Sequence, residues 1–295
     1  MNLRPVKLND VVGQEKVKQC LNISIKASKQ KNKALPHTLF DGPPGTGKTT
    51  LARALAEDMG VELQIASAAS LKSVKSILPY LMKISNHSIL FIDEIHRLPI
   101  ALEEFLYTAV EDFRVDLEND GKTLPIALEE FTLIGATTDG GALSPPLYDR
   151  FSIKHHLHLY EIDELCDLIM SNALKLEVGI EHGAAKNLAR RSRGTPRIAN
   201  NLLKWTHDYC LSEGINCIDS TSVGKSMDLM GINPDGLDEQ DNKYLEVLGR
   251  FGKPVGLTTI VASTNINEDT IMTQIEPFLL QQGMIARTPK GRILL

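Results

Sequence analysis

Residues 37–60 read HTLFDGPPGTGKTTLARALAEDMG. The central part, GPPGTGKT at Gly42–Thr49, fits the pattern G-x-x-x-x-G-K-[ST] between a strand-like run and a helical pattern that ends at Gly60. In this context the amides of a glycine-rich loop surround phosphates, and the helix N-terminus adds positive potential. The segment therefore predicts a nucleotide site, with Lys48 at the β- and γ-phosphates and the Thr49 hydroxyl on Mg²⁺.

The segments that follow this loop alternate between apolar runs and helical patterns. SILFIDE at 88–94 and FTLIGATT at 131–138 are continuously apolar, and the helical PIALEEFLYTAVEDF lies between them. Strands of this kind are typical of a parallel sheet that is covered on both faces. We therefore predict an α/β fold for the first half of the chain.

The second half has a different pattern. From about Glu161 the chain carries apolar residues at helical spacing, and a segment rich in Gly, Pro and Asp follows at 230–241. The tail GMIARTPKGRILL has two β-prone runs around a turn, and helices before such a hairpin indicate a winged helix. We predict three domains: residues 1–160 with the sheet, a helical domain at 161–231, and a winged helix at 234–295.

Composition limits the class of protein. The chain has 295 residues, 42% of them hydrophobic, and a formal net charge of −5. A contact with nucleic acid must therefore come from a local basic patch. The four cysteines lack metal-binding spacing, no apolar run is long enough to span a bilayer, and the N-terminal segment lacks the apolar core of a signal peptide. We expect a cytoplasmic protein with no membrane partner.

Acidic and hydroxyl side chains follow the two predicted strands. Asp93 and Glu94 end SILFIDE, at the carboxyl edge where ligands bind in open α/β sheets. This position suits Asp93 for holding Mg²⁺ and Glu94 for orienting the attacking water. Thr138 ends FTLIGATT, where its hydroxyl can bond a phosphate or that water, although threonines also end strands as ordinary turn residues.

Two arginines occupy unusual positions. Arg197 follows Thr195 and Pro196 at the predicted start of a helix, where the helix dipole disfavours a cation. An anionic partner such as a γ-phosphate and a plain surface position both remain open for it. Arg150 ends SPPLYDRFS at 144–152, which we interpret as a proline-stiffened loop that offers Arg150 no partner nearby in sequence.

An ordered set of motifs resembles the RuvB family of AAA+ ATPases. The set runs from about Leu3 to Arg292 and contains GPPGTGKTTLA, LFIDEIHRL, YTAVEDFRVD, FTLIGATT, LYDRF, ARRSRGTPRIANNLL and EPFLLQQGMIARTPKGR. The resemblance implies an AAA+ P-loop ATPase domain, a helical lid and a C-terminal winged-helix domain. It also implies ATP and Mg²⁺ as ligands and ATP-driven branch migration of four-way junctions in DNA recombination and repair.

The resemblance assigns further residues by matching positions. Leu3 and Arg4 match the base side of the nucleotide, and Tyr160 matches a residue near the adenine. Arg150 matches the arginine finger that reaches a neighbouring subunit, and Arg197 matches the sensor-2 arginine. The remaining matches to nucleotide-contacting positions are Gly45, Lys48, Thr49, Thr50, Glu111, Asp112 and Phe113.

The resemblance implies a homo-hexamer on double-stranded DNA, with RuvA-type and RuvC-type partners. Arg287 and Arg292 match the DNA contact of the wing. The last nine residues carry three cations and no acid, although residues 234–295 hold six basic and eight acidic residues. Such local charge suits phosphate contacts, although a solvated basic tail has the same composition.

The sequence departs from the family pattern at several points. Asp139, Tyr148 and Glu268 replace usual arginines, so altered subunit coupling and weaker DNA contact are expected. The hairpin region RVDLENDGKTLPIALEEF is short, with NDG as its expected turn and Leu124 and Ile126 as apolar residues for a RuvA-type partner. The chain also ends soon after the wing, at GRILL, so we interpret it as a divergent, shortened member.

Two other functions share parts of this pattern. A clamp-loader-like ATPase that remodels a protein would have the same ATP site but needs no basic wing. A DNA-binding scaffold gated by ATP, with weakened ring coupling, would fit the replacements at Asp139, Tyr148 and Glu268.

Overall fold

The computed structural model describes residues 3–119 and 122–295. The chain divides into two compact units. The first runs to Glu164 and includes Thr195–Arg197, and the second contains Leu165–Gly194 and Ile198–Leu295. Because the second unit holds both the middle helices and the C-terminal ones, the division into three domains stays a prediction.

A parallel sheet of five strands forms the centre of the first unit, in the order β2-β3-β6-β1-β7. The strands of this unit are β1 Thr38–Asp41, β2 Leu63–Ser67, β3 Ile89–Asp93, β4 Arg114–Asn119, β5 Lys122–Ala127, β6 Thr132–Thr137 and β7 Ile153–His156. All six residues of β6 are buried, which explains why its sequence shows no polar alternation.

Helices cover both faces of this sheet. They are α1 Glu15–Lys31, α2 Lys48–Met59, α3 Val74–Leu81, α4 Ile100–Glu111 and α5 Pro145–Arg150. Successive strand residues point to opposite faces, so Leu39 packs with α3, α4 and α5, whereas Phe40 packs with α1 and α2. The prediction of a parallel sheet with helices on both faces is confirmed.

The segment predicted as a proline-stiffened loop is a helix instead. Ser144 is the N-cap of α5, and Pro145 and Pro146 occupy its first turn. Proline is tolerated there because the first N–H groups of a helix have no partner within the helix. The prediction of a loop was wrong because the two prolines occupy the first turn of a helix, where their fixed φ is compatible with the helix.

Strands β4 and β5 pair as an antiparallel hairpin. The turn was expected at NDG, and Asp120 and Gly121 of this turn lie outside the described residues. Leu124 is exposed, as docking on a partner requires, but Ile126 packs against the core of its own unit. Ile126 is half-buried rather than buried, so docking of a RuvA-type partner on Leu124 and Ile126 stays a prediction.

Four helices and a two-stranded parallel sheet begin the second part of the chain. The elements are α6 Ile162–Lys175, β8 Gly179–Ile180, α7 His182–Arg191, α8 Pro196–Ser212, β9 Cys217–Ile218 and α9 Ser220–Leu229. This segment is the predicted helical lid. In the described part of the chain, no helix has both the length and the apolar character that crossing a membrane requires.

The C-terminal elements form the predicted winged helix. They are α10 Glu239–Phe251, α11 Leu257–Thr264, α12 Glu268–Thr270, a π-helical segment Ile271–Ile275, α13 Glu276–Gln281, β10 Ile285–Thr288 and β11 Gly291–Leu294. Strands β10 and β11 form an antiparallel hairpin around TPKG, as predicted. The core of the winged helix includes the fully buried Tyr244, Ile260 and Leu279.

Candidate functional site

Three glycines shape the loop between β1 and α2. Gly42, Gly45 and Gly47 have φ values of 142°, 82° and 106°, which other residues rarely adopt. A Cβ on Gly42 would lie 2.3 Å from the carbonyl oxygen of Leu157, so only glycine fits there. Because these glycines have no side chains, the loop backbone can approach a bound ligand closely.

The start of α2 presents donors to this loop. Gly47 is the N-cap and has no side chain to cap the first turn. Lys48 is buried, and its Nζ donates to the carbonyls of Gly42 and Pro43 at 2.7 and 3.0 Å. Thr49 and Thr50 lie half-buried in the same turn. Helix amides and a buried lysine form a site suited to phosphate.

Charged groups surround Lys48. Burial lowers the pKa of Lys48, and the negative charges of Glu94, Asp93 and Asp41 oppose this shift. The positive charge of Arg197 acts in the same direction as burial. The predicted residues Lys48, Asp93, Glu94 and Arg197 are therefore close enough to interact.

Glu94 has an unusual backbone conformation. With φ 50° and ψ 47° it lies in the left-handed region, which costs about 1–3 kcal/mol for such a residue. Its Oε2 accepts a hydrogen bond of 3.0 Å from the Thr138 hydroxyl. Glu94, expected to orient the attacking water, and Thr138, expected to bond a phosphate or that water, therefore contact each other directly.

His96 was not assigned a role from the sequence. Its Nδ1 lies 3.3 Å from Glu94 Oε2 and 2.8 Å from the Thr137 hydroxyl. The signal available in sequence was its position two residues after Glu94, inside LFIDEIHR. His96 thus joins β6 to the carboxylate of Glu94.

Arg197 and Tyr160 border the phosphate loop. A Cβ on Gly45 would lie 3.4 Å from the Cβ atoms of both Thr195 and Arg197. Tyr160 is buried, and a Cβ on Gly47 would lie 3.8 Å from its hydroxyl. Burial raises the pKa of Tyr160, so its ring stays neutral.

Leu3 and Arg4 lie in the N-terminal segment. Leu3 is buried, whereas Arg4 is exposed and lines a cavity of about 550 Å³ with Arg53 and Glu57 of α2. This cavity borders the later turns of α2 rather than its first turn, where the phosphate loop ends. Contact of Leu3 and Arg4 with the base stays a prediction.

Arg150 lies near the amino ends of the parallel strands, whereas the phosphate loop of its own chain follows the carboxyl end of β1. It precedes β7, whose Ile153 pairs with Thr38 at the amino end of β1, whereas Gly42 follows the carboxyl end. The four residues of β1 separate these edges by about 13 Å. Arg150 also has a partner in its own chain, since its Nη2 lies 2.6 Å from Glu111 Oε2. The sequence had shown no partner for Arg150 close by in the chain, and Glu111 is distant from it in sequence.

Near Arg150, the amino ends of the parallel strands are also bordered by Glu111, Asp112 and Phe113. Phe113 packs against His37 and Phe131, with ring centres 6.3 and 5.8 Å apart. The structure therefore does not bring this segment to the phosphate loop of its own chain. A role at the nucleotide of a neighbouring subunit stays a prediction.

Two departures from the family pattern lie near α5. Tyr148 lines a cavity of about 600 Å³ together with Asp41 and His156, and Lys154 Nζ lies 4.2 Å from the centre of the Tyr148 ring. Asp139 is exposed, and its N–H donates to the Thr137 hydroxyl. The side chains that contact Arg150 through an ion pair and a cation–π contact are Glu111 and Tyr107.

The donor set suits Mg²⁺ better than a transition metal. Thr49 and Asp93 offer oxygen ligands, and Mg²⁺ binds few protein oxygens while keeping several waters. Across the described ranges, no group of three or more His, Cys, Asp and Glu side chains forms a candidate metal centre. None of the four cysteines, all of which lie within the described ranges, forms a disulfide.

Comparison with known proteins identifies the family. Residues 3–157 match the Holliday junction DNA helicase RuvB P-loop domain, residues 160–233 the RuvB AAA lid domain, and residues 234–294 the RuvB C-terminal winged helix domain. The chain belongs to the RuvB family. The Holliday junction branch migration complex subunit RuvB of Rhodopirellula baltica is 44% identical over 299 residues, which cover 99% of this chain and 82% of that protein.

Other RuvB proteins are similarly related. The RuvB subunit of Campylobacter hominis is 44% identical over 298 residues, covering 99% of this chain and 88% of that protein. The structure of Thermotoga maritima RuvB, described as a Holliday junction branch migration motor, is 41% identical with a TM-score of 0.88. That alignment covers 99% of this chain and 95% of the solved one. The AAA+ fold with lid and winged helix is thereby confirmed.

The wing arginines of this RuvB chain are bound to a buried acid. Arg287 and Arg292 face each other across the hairpin, and each donates from Nε to Glu276, at 2.7 and 2.8 Å. The Tyr244 hydroxyl donates to the same carboxylate at 2.9 Å. The arginines expected on DNA are thus also structural.

Arg287 and Arg292 differ in their exposure to solvent. The side chain of Arg287 is 45% exposed, whereas that of Arg292 is 18% exposed. Burial alone would raise the pKa of Glu276, but hydrogen bonds from Arg292, Tyr244 and Arg287 outweigh burial and lower it. Glu276 therefore stays ionised, and Arg287 is better placed than Arg292 to meet a phosphate.

Proposed function

We propose that this chain is an ATP-driven DNA motor that moves Holliday junctions by branch migration in recombination and repair. The observation that carries the proposal is the separation of Arg150 from the phosphate loop by the whole length of β1. An arginine at that edge can complete only the ATP site of another subunit. A DNA motor of this kind acts where the chromosome lies, so we expect it in the cytoplasm.

ATP is the substrate of the proposed reaction. The loop amides at Gly45, with Lys48, Thr49 and Thr50, hold the phosphates, and Tyr160 borders the base. Arg197 contacts the γ-phosphate, and Leu3 and Arg4 act on the base side. Mg²⁺, held by Thr49 and Asp93, would neutralise charge on the phosphate oxygens.

Glu94 activates the water in this proposal. Its carboxylate orients the water for attack on the γ-phosphorus while the bond to the β,γ-bridging oxygen breaks, and it receives the proton that the water loses. The hydroxyl of Thr138 fixes the carboxylate through the 3.0 Å hydrogen bond, and His96 supports it from the other side. These contacts support the assignment of Glu94 as the catalytic base.

The proposed assembly is a ring of six copies. Contacts between unlike faces of identical subunits produce rings when the rotation closes. In such a ring Arg150, and with it the segment Glu111–Phe113, faces the ATP of the next subunit. The same proposal has Arg287 and Arg292 contact double-stranded DNA phosphates. It also has Leu124 and Ile126 contact a RuvA-type protein, with a RuvC-type resolvase as a further partner.

Mixed rings test the shared site. Lys48→Ala removes the phosphate lysine and Arg150→Ala removes the finger, so each variant alone should lose hydrolysis. A mixture should recover part of it, because intact sites then meet intact fingers. Hydrolysis at the wild-type rate in Lys48→Ala alone, or loss of ATP binding in Arg150→Ala, would contradict the proposal.

Two alternatives share this ATP site. A clamp-loader-like ATPase would hydrolyse ATP without extending the arms of a four-way junction. A DNA-binding scaffold would bind DNA without DNA-stimulated turnover, and the replacements at Asp139, Tyr148 and Glu268 favour it. Comparing ATP turnover with and without junction DNA separates the scaffold from the motor.

A further inference from the structure

One face of α4 carries three polar side chains at four-residue spacing: Glu103, Tyr107 and Glu111. Residues four apart lie one above the other on the same side of a helix. All three contact α5, the short helix that ends at Arg150. The face therefore connects α4 to the arginine finger at several points.

The first contact fixes the start of α5. The carboxylate of Glu103 is buried and accepts a hydrogen bond from the Ser144 hydroxyl. The Tyr107 hydroxyl lies 3.0 Å from the same Ser144 oxygen. Because Ser144 is the N-cap, and Pro145 and Pro146 restrict the next turn, the beginning of α5 has little freedom.

The second contact fixes the end of α5. Glu111 Oε2 lies 2.6 Å from Arg150 Nη2, and the guanidinium carbon lies 5.9 Å from the centre of the Tyr107 ring. The Nε of Arg150 is buried and has no hydrogen-bond partner among the described residues. The ion pair with Glu111 is therefore made through Nη2 and not through Nε.

The exposure of this pair argues against a role in stability. The side chains of Glu111 and Arg150 are 57% and 35% exposed. Ion pairs with this exposure contribute little to the free energy of unfolding, because water screens them. An unpaired arginine, however, samples many rotamers, and a carboxylate that fixes it reduces the entropy lost when it binds a phosphate.

We propose that Glu111 is the positioning residue of the arginine finger. Its carboxylate holds Nη2 and orients the Arg150 guanidinium toward the neighbouring subunit, while the exposed part of the side chain remains for a phosphate. Glu111 therefore acts on the next subunit's ATP, through Arg150, and not on the phosphate loop of its own chain. This inference rests on the proposed motor function, in which Arg150 acts between subunits.

The first test compares two neutralised carboxylates on the same helix. Glu111→Gln keeps the shape of the side chain but removes its charge, and Glu104→Gln is the matched control because Glu104 is exposed. We expect kcat to fall about 10- to 100-fold in Glu111→Gln, as for a misplaced catalytic group, with KM for ATP unchanged. The control should match the wild type. A rise in kcat would show that Glu111 restrains the finger, and would overturn the proposal.

The second test asks which subunit carries the defect. Glu111→Gln protein has an intact phosphate loop, and Lys48→Ala protein has an intact finger, so mixing them should restore hydrolysis. Mixing Glu111→Gln with Arg150→Ala should restore none, because both lack a working finger. If Glu111 acted on its own loop, the first mixture would also fail, and the proposal would be wrong.

The control mixture of Arg150→Ala with Lys48→Ala separates the two levels of inference. Recovery there, combined with failure of the Glu111→Gln mixture, contradicts only the role of Glu111. Failure of both mixtures contradicts the shared ATP site itself.

Discussion

Glu276 in the winged helix is fully buried, and its carboxylate bonds Tyr244, Arg287 and Arg292. Glu276→Gln leaves two arginines without their counter-charge, and breaking such a buried pair costs about 3–5 kcal/mol. We expect this loss in the free energy of unfolding, measured by urea denaturation. DNA affinity should fall as well, because the wing loses its shape.

Glu239→Gln is the control for Glu276, since Glu239 is an exposed carboxylate on α10. It should leave both the stability and the DNA affinity unchanged. A Glu276→Gln protein as stable as this control would show that the arginines do not need the acid.

His37 predicts a pH dependence of stability. Its Nδ1 accepts from the Leu133 N–H at 2.9 Å and its Nε2 lies 3.0 Å from the Val110 carbonyl, so the neutral ring satisfies both. Burial lowers the pKa of His37, with the Val110 carbonyl and Glu130 opposing. The unfolded chain therefore binds a proton at a higher pH than the folded one.

The direction of the effect follows from that pKa shift. The contribution of His37 is fully present above the ordinary pKa near 6.5 and is lost as the pH falls from there toward the lowered pKa. The loss reaches at most about 1.4 kcal/mol per pH unit for one group. Denaturation at pH 7 and pH 5 measures it, and a Glu130→Gln control retains the dependence. A His37→Phe protein with an unchanged pH slope would contradict this account.

At this scale the sequence predicts residues inside motifs and misses partners that are distant in sequence. Lys48, Asp93, Glu94 and Thr138 lie in patterns whose chemistry is local to a strand end. Glu111 and Arg150 are 39 positions apart, and nothing periodic connects them. Glu276 is likewise separated in sequence from Arg287 and Arg292. The positive charge of these two arginines suggested contacts with DNA and gave no sign of the buried acid.

At the scale of elements, Arg193 joins the lid to the winged helix. Its Nε donates to the Gly236 carbonyl at 2.8 Å, and its Nη2 bonds Asp238 and Asp241. The guanidinium carbon lies 4.9 Å from the centre of the Phe278 ring. Burial raises the pKa of Asp241, while the Asp238 N–H and Arg193 oppose that shift.

Removing this arginine should destabilise the second unit. Arg193→Ala leaves the fully buried Asp241 without its cation, which costs about 3–5 kcal/mol of unfolding free energy. Urea denaturation measures this, with Arg190→Ala as the control because Arg190 is exposed on α7. Equal stability of the two variants would mean that Arg193 contributes nothing to the joint.

The sequence predicts elements well where a pattern is long, and poorly where prolines interrupt it. Continuous apolar runs identified β3 and β6 because strands covered on both faces show no polar alternation. The segment 144–150 was misjudged because a helix of six residues has no periodicity to detect. Packing of α5 on α4 stabilises it, and packing cannot be deduced from so short a stretch.

At the scale of the whole molecule, the position of Arg150 predicts assembly. One chain has a phosphate loop at one sheet edge and a finger at the other, so a closed ring satisfies every site. We expect a hexamer when ATP and DNA are both present, measured by light scattering coupled to gel filtration. The Glu94→Gln variant, which should bind ATP without hydrolysing it, favours the ring in this measurement. A monomer under all these conditions would contradict the shared site.

The order of the motifs was sufficient to identify the family, because its members share that order over nearly the full chain. The role of Arg150 at a neighbouring subunit came only from the resemblance, and its distance from the phosphate loop of its own chain was not evident, since that distance depends on which ends of the strands each motif occupies. That information comes from strand register, which the sequence patterns leave open.

The central claim is that ATP hydrolysis by this chain moves DNA junctions. The most direct measurement follows the conversion of a fluorescently labelled four-way junction into two duplexes by the purified protein, with a RuvA-type protein present. We predict conversion that requires ATP and is absent with Lys48→Ala and Glu94→Gln. Wild-type protein that hydrolyses ATP on the junction and leaves its arms unchanged would contradict the claim.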